Sequence, residues 1–250
     1  MAKIGGIPWR VVSNKTDEII IGIGAFKPKG AAHRFLGSAF YFSNEGVFEN
    51  FDCFREDDTI MLAGSIRNAV QLFLEKKPDA KRVIIHFYKE ISDKKELKPI
   101  LDMLGKLGEN NLLVIVVTIN KTDSKELLGF DLNSRYNKMP LSGTYVKVGP
   151  NKFLLFNSVR YFENSTLKAR DYHFPIKISL RSRDEILLKD KQVVAELIAQ
   201  VYQFSRMYWK STSQQNLPVT TKYPEMVAQI YPHFENDQLP PFGKKNFWFL

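Results

Sequence analysis

Cysteine is almost absent from this sequence: Cys53, alone in 250 residues, excludes an intrachain disulfide and a cysteine-built zinc site. A reducing intracellular compartment suits such a chain, and a cytoplasmic location is expected. Long apolar runs are missing too. The longest, around "NNLLVIVVTIN", falls far short of the ~20 residues that a membrane-spanning helix needs, and no apolar signal segment opens the chain. Negative charge is in deficit, with 27 Asp and Glu against 36 Lys and Arg. The resulting +9 favours an acidic partner, nucleic acid first and an anionic membrane surface second, over a merely basic surface.

Familiar enzyme signatures are also lacking: there is no Walker loop, dinucleotide fingerprint, HExxH or GxSxG. The "GIG" at Gly22–Gly24 reads as a close backbone approach in a strand rather than a nucleotide loop. No internal repeat, low-complexity tract or interdomain linker divides the chain, so residues 1–250 are expected to form a single domain. At 44% hydrophobic residues it can bury a substantial core. The 19 Phe exceed what a core of this size demands, leaving some for stacking surfaces or a partner interface.

Three successive strands are expected at Glu18–Phe26, Arg34–Ser43 and Val47–Phe54, the last two joined by a hairpin turn at "NEG". The period then changes. Ile60, Ala63, Ile66, Val70, Phe73 and Leu74 fall on one side of a helix over Asp58–Lys77, which Pro78 ends. The strand "KRVIIHFYK" follows. A helix then opens at Ser92 without a full capping box, because Lys95 stands where the box has Glu or Gln. Leu97, Ile100, Leu101, Leu104 and Leu107 form its apolar face, Gly108 closes it, and "NLLVIVVTIN" is the next strand. Two continuous apolar strands, each beside a helix, predict buried parallel strands covered by helices.

Residues 121–143 read as a long loop with a short helix at Ser124–Leu128, followed by a hairpin of Thr144–Lys147 and Lys152–Asn157 and a strand over Pro175–Leu180. A periodic helix over Lys189–Trp209 and a short one over Tyr223–Ile230 come next. The tail "GKKNFWFL" is too aromatic for a free end and is expected to tuck into the fold or against a partner. The order of elements predicts an α/β, ribonuclease H-like fold. Its mixed sheet, a three-strand meander then parallel strands, is flanked by helices.

Metal-dependent phosphodiester hydrolysis on that fold needs two divalent ions about 4 Å apart, held by carboxylates at strand ends. The first position falls on Gly24, which offers no ligand. The second falls at the end of "RVIIHFYK", where Lys89 is a cation in place of an anion. His86 can ligate a metal, although a lone histidine is more often a hydrogen-bonded core or surface residue. Glu45, Glu49, Asp52, Glu56, Asp57 and Asp58 cluster in sequence and read as solvated loop and helix-start residues, the last three suiting a helix N-terminus. Basic residues carry more signal. Lys27, Lys29, His33 and Arg34 gather between the first two strands, Arg181 and Arg183 follow the late strand, and Arg206 and Lys210 stand near the end of the long helix. Such side chains grip a phosphate backbone without reading sequence.

Two stretches resemble a known family. "KIGGIPW" (Lys3–Trp9), with "IIIGIGAF" following at the expected distance, is similar to the opening of the PIWI domain of Argonaute proteins. "VYQFSRMYWKSTSQQNLPVTTKYPEMVAQIYPHF" (Val201–Phe234) resembles that domain's closing segment. The resemblance spans essentially the whole chain, making residues 1–250 a PIWI domain with the MID domain absent. Either the chain is a fragment, or the MID half is a separate polypeptide. Active members cut a guide-paired target with an Asp-Glu-Asp-X set. The matching positions here are Gly24, about Tyr88, and Glu225, while the glutamate finger would come from the loops around Glu45–Glu56.

With both aspartates replaced, the resemblance implies the short, catalytically inactive type of prokaryotic Argonaute: no enzyme itself, and no catalytic metal pair. Its implied role is guide-directed binding within a prokaryotic defence complex. The implied partners are a short guide RNA or DNA, a complementary target, the MID polypeptide or remainder of the Argonaute, and a TIR- or Sir2-type effector with an Argonaute-binding region. Membranes are not among them. Lys210, with Arg206 and Ser211, is implied at the guide 5′ phosphate, where the Leu250 carboxylate would help hold Mg2+. Lys27, Lys29, Arg34, Arg181 and Arg183 are expected along the duplex backbone. Two alternatives stay open. One is a metal-dependent nuclease built from Glu225, His86 and the acidic cluster, and the other is a scaffold that binds a MID or effector chain.

Overall fold

The computed structural model describes residues 3, 6–11, 17–30, 32, 34–42, 48–108, 112–120, 127–135, 138–157, 160–162, 174–210, 216–234 and 247–250. Strands β1 (Glu18–Phe26), β2 (Phe35–Phe42) and β3 (Phe48–Arg55) form an antiparallel meander. Helix α1 (Thr59–Lys76) leads to β4 (Arg82–Phe87). A π-helical turn (Asp93–Leu97) and α2 (Lys98–Gly105) lead to β5 (Leu113–Asn120). Strands β6 (Thr144–Gly149), β7 (Lys152–Phe156) and β8 (Ile176–Ser182) precede α3 (Lys191–Phe204) and α4 (Val219–Ile230). All eight strands join one sheet in the order β3-β2-β1-β4-β5-β8-β7-β6. β1, β4 and β5 are parallel and every other pairing is antiparallel, which is the ribonuclease H-like arrangement that the element order predicts.

The period of two along the central strands divides the core into two layers. Ile19, Ile21 and Ile23 of β1 join Val83, Ile85, Phe87, Val114 and Val116 beneath α1 and α2. Ile20, Ile84, Ile115 and Val117 point the other way, beneath α3 and α4. The aromatic tail closes that second layer: Phe247 and Phe249 are buried against Trp209, Tyr223 and Phe51. It is tucked into the fold, as its composition predicts.

Several boundaries differ from the sequence reading for identifiable reasons. The helix expected over Lys189–Trp209 ends at Phe204 because the Ser205 hydroxyl turns back to the Tyr202 carbonyl at 2.6 Å. Arg206 and Lys210 therefore lie on the turns after α3, not on the helix. Helix α4 starts at Val219, four residues earlier than expected, and holds Pro224 within it. Its first turn escapes the apolar pattern because Thr220 and Thr221 are buried polar residues. At Ser92, Glu96 takes the role denied to Lys95: its Oε2 accepts the Ser92 N–H at 2.8 Å. The extra residue of the π turn, with Leu97 N–H bonded to the Ser92 carbonyl at 2.9 Å, makes that reach possible. The expected "NEG" turn lies outside the described residues, as does most of the expected Ser124–Leu128 helix. Leu127 and Leu128 are described and are not helical.

Candidate functional site

Gly22, Gly24 and Gly37 form the floor on which α4 rests. A Cβ on Gly22 would meet the Thr220 carbonyl oxygen at 1.9 Å, one on Gly24 the Thr221 oxygen at 2.2 Å and the Glu225 nitrogen at 2.6 Å, and one on Gly37 the Pro224 oxygen at 2.2 Å. All four contacts are with helix backbone, which cannot swing aside as a side chain can. Pro224 contributes to the fit. It lacks the N–H that would bond the Thr220 carbonyl, and that carbonyl is the one lying over Gly22. Beside this seat is a cleft of about 270 Å³ lined by Gly24, Lys27, Arg34, Tyr88, Thr221 and Glu225, among others. The three positions matched to catalytic ligands, Gly24, Tyr88 and Glu225, thus converge on one cavity from β1, the end of β4 and α4. Glu225 is paired with Lys222 at 3.7 Å.

A network of cations and carboxylates borders that cleft. Tyr88 donates to Glu56 Oε1 at 2.8 Å, and Lys89 Nζ donates to the same oxygen at 2.9 Å. Lys89 reaches Glu96 Oε1 at 2.9 Å as well, so one ammonium bridges two carboxylates from different elements. Arg34 lies 3.6 Å from Glu56 and 3.5 Å from the Tyr88 hydroxyl. Arg34 and Lys89 also sit 5.8 and 5.6 Å from the Tyr88 ring centroid, within cation–π range. Partial burial works to raise the Glu56 carboxyl, but hydrogen bonds from Lys89 and Tyr88 and the adjacent positive charges hold it below its ordinary value. Burial pushes the Tyr88 phenol up to about 12. Burial would lower Lys89, yet its two carboxylate bonds raise it above the usual lysine range. Lys89 and Arg34 thus hold fixed positive charge beside the cleft. Among the described residues, no group of three or more His, Cys, Asp or Glu side chains could hold a metal ion.

His86 belongs to the core rather than the cleft. It is fully buried, its Nδ1 lies 2.8 Å from the Thr220 hydroxyl, and its ring packs edge-on to Phe204 at 6.1 Å. Burial drives its pKa down to about 3 against a weaker upward pull from the Gln200 side chain, so the ring is neutral. The acidic cluster is likewise dispersed into structural duties. Asp52 accepts from Ser65 at 2.8 Å, Asp58 caps α1 by accepting the Met61 N–H at 3.0 Å, and Glu56 serves the network above. Glu45 lies outside the described residues. The roles of Glu56, Lys89, Glu96 and Thr220 had no signature in the sequence, since each acts through partners distant in the chain.

The basic residues fall into two groups. Lys27, Lys29, Arg183 and Lys210 are exposed. Arg181 Nη2 instead donates to both Asp93 carboxylate oxygens, at 2.7 and 3.0 Å, and its Nη1 to the Ile91 carbonyl at 3.1 Å. Arg206 is clasped by neutral partners, Ser142 at 2.9 Å and Tyr161 at 3.2 Å, and lies 4.5 Å from the Tyr202 ring centroid. Trp9 donates to the Arg206 carbonyl at 2.9 Å, which brings "KIGGIPW" against the start of the closing segment. Leu250 packs at the rim of the core next to buried Phe249. His33 and Ser211 lie outside the described residues.

A family model described as the Piwi domain matches residues 1–234. The Piwi protein of Archaeoglobus fulgidus is 24% identical over 284 aligned positions, and the argonaute protein of Cereibacter sphaeroides is 23% identical over 281, both across the whole of this chain. The chain spans 62% of the length of the first and 35% of the second. Among solved structures, the Marinitoga piezophila Argonaute in complex with 5′-OH guide RNA and target DNA gives a TM-score of 0.62 at 16% identity. That match covers 86% of this chain and 30% of the other. The same Argonaute with 5′-OH guide RNA gives 0.60 at 15% identity with the same coverage.

Proposed function

We propose, from the fact that the chain belongs to the Piwi domain family, that it is the nucleic-acid-gripping part of a non-cleaving Argonaute assembly. The observation that carries this reading is the seat at Gly24. The α4 backbone fills the space a side chain would need there, and the neighbouring positions carry Tyr88 and Lys89 in place of acids. In this reading a guide strand, RNA or DNA, pairs with a complementary target, and base pairing supplies the specificity. The protein contributes phosphate contacts that are indifferent to sequence. Lys27, Lys29, Arg34, Arg181 and Arg183 track the duplex backbone. Lys210, with Arg206 and Ser211, faces the guide 5′ phosphate. The Leu250 carboxylate would share a Mg2+ there, and that ion would add local positive charge for the phosphate. A MID-domain polypeptide or the remainder of the Argonaute completes the pocket, and a TIR- or Sir2-type effector supplies the response in a cytoplasmic defence complex.

The test pairs binding with cleavage. The chain, with a MID partner supplied, is incubated with a 5′-phosphorylated guide and a labelled complementary target in Mg2+ or Mn2+. Guide-dependent retention of uncut target is expected. Robust cutting that is lost on Glu225→Ala would overturn the non-cleaving reading, and failure to bind any oligonucleotide at any salt would favour a scaffold.

A further inference from the structure

Next to the degenerate site lies a larger cleft of about 580 Å³, between the chain leaving β1, the start of α1 and the π turn before α2. Five cations line it: Lys27, Arg34, Lys89, Lys94 and Lys95. Its carboxylates are Glu56, Asp57 and Glu96. Two of the cations are committed, Lys89 to both Glu56 and Glu96, and Arg34 to Glu56. Lys27, Lys94 and Lys95 have no carboxylate within ion-pair reach among the described residues, so the cleft keeps a surplus of positive charge. The backbone makes this arrangement. The π turn inserts one residue, folds Glu96 back onto the Ser92 N–H, and presents Lys94 and Lys95 along the same wall. Glu96 is buried, so Lys89 is held as an internal counter-ion and the remaining lysines are left to solvent.

We propose that this cleft is a metal-independent phosphate site, which seats a backbone phosphate of the bound duplex on Lys27, Lys94 and Lys95. Lys89 and Arg34 together do electrostatic work that a divalent ion would otherwise do: they neutralise Glu56 and Glu96, so that these no longer repel an incoming phosphate. The proposal rests on the nucleic-acid-binding reading above and adds to it a location, two further residues (Lys94 and Lys95) and independence from divalent metal.

The experiment measures binding of a guide–target duplex by the full chain with its MID partner over a range of salt, in EDTA and in Mg2+. The variant Lys27→Gln/Lys94→Gln/Lys95→Gln is compared with the unaltered chain, with Lys94→Arg/Lys95→Arg, and with Lys147→Gln on the far edge of the sheet. Each lost phosphate contact removes about 0.9 from the slope of log affinity against log salt. The triple variant is expected to lose about one to three from that slope, equally in EDTA and Mg2+, while the other two variants match the unaltered chain. An unchanged slope in the triple variant overturns the proposal, as does a difference seen only with Mg2+. If the unaltered chain binds no duplex, the functional reading fails by itself. The cleft is then judged by 31P NMR titration with inorganic phosphate: line broadening lost in the triple variant supports an anion site, and identical titrations overturn it. Displacement of phosphate by polyglutamate but not by duplex would also overturn it, in favour of an acidic peptide.

Discussion

Gly24 governs the site at the scale of a single residue. Its surroundings leave no room for a side chain beneath α4. Gly24→Ala drives a Cβ into the Thr221 oxygen and the Glu225 nitrogen, so α4 must shift. Overpacking costs typically ~1–3 kcal/mol, and more where backbone has to move, so a loss of about 3 kcal/mol in urea unfolding is expected. Gly64, in α1, is the control: its nearest neighbour to an added Cβ is Met103 Cε at 3.9 Å. Gly64→Ala should stabilise by about 0.5–1 kcal/mol through helix propensity. Equal effects at the two glycines would disprove the seat. The same logic predicts that Gly24→Asp destabilises the fold rather than reviving cleavage.

Among the elements, the tail depends most on what packs beside it. Phe249 is 5% exposed, with ring centroids 5.7 Å from Tyr223, 5.9 Å from Phe51 and 5.8 Å from Phe247. Tyr223 in turn ties two segments together, since its hydroxyl accepts the Trp209 N–H and donates to the Met207 carbonyl, each at 3.0 Å. The tail, α4 and the turns after α3 are thus one packing unit. Phe249→Ala should cost about 3–5 kcal/mol, the usual range for a buried phenylalanine, read as a lowered denaturant midpoint. A loss below about 1 kcal/mol would mean that the tail merely lies on the surface. The aromatic tail was legible as a buried element from composition. The end of α3 was not, because the bond from the Ser205 hydroxyl to the Tyr202 carbonyl leaves no mark on the periodic pattern.

For the whole molecule, a buried polar chain runs between the sheet and both helices of one layer. Arg82 pairs with Glu18, Gln200 reaches Glu18 at 3.5 Å, and His86 meets Thr220. His86 makes global stability sensitive to acid. Its folded pKa is about 3 against an ordinary 6.5, so between those values the unfolded chain binds a proton that the folded chain refuses. Stability from this group is therefore level above pH 6.5 and falls below it, by up to about 1.4 kcal/mol per pH unit. Unfolding free energies measured from pH 7.5 to 4.5 should show that fall, reduced in His86→Asn. An identical pH profile in the variant would remove His86 as the cause. Glu56, held below its ordinary value, acts at lower pH: its contribution is present above the unfolded carboxyl pKa and lost as pH falls through the folded one.

Much of the architecture was determined by the sequence alone, because period, breakers and caps are local. The alternation along β1, β4 and β5, the stripe of α1 ended by Pro78, and the two end motifs lead to the fold and the family. The resemblance also implies that Gly24 and Tyr88 take the positions of metal-binding aspartates. The tertiary structure decided what surrounds those positions. Only there do the α4 carbonyls meet three glycines on two strands, and only there does Lys89 find Glu56 and Glu96. Steric exclusion and Coulomb attraction act over a few ångströms in space. The partners involved here lie from 7 to nearly 200 residues apart along the chain, where no local pattern records them.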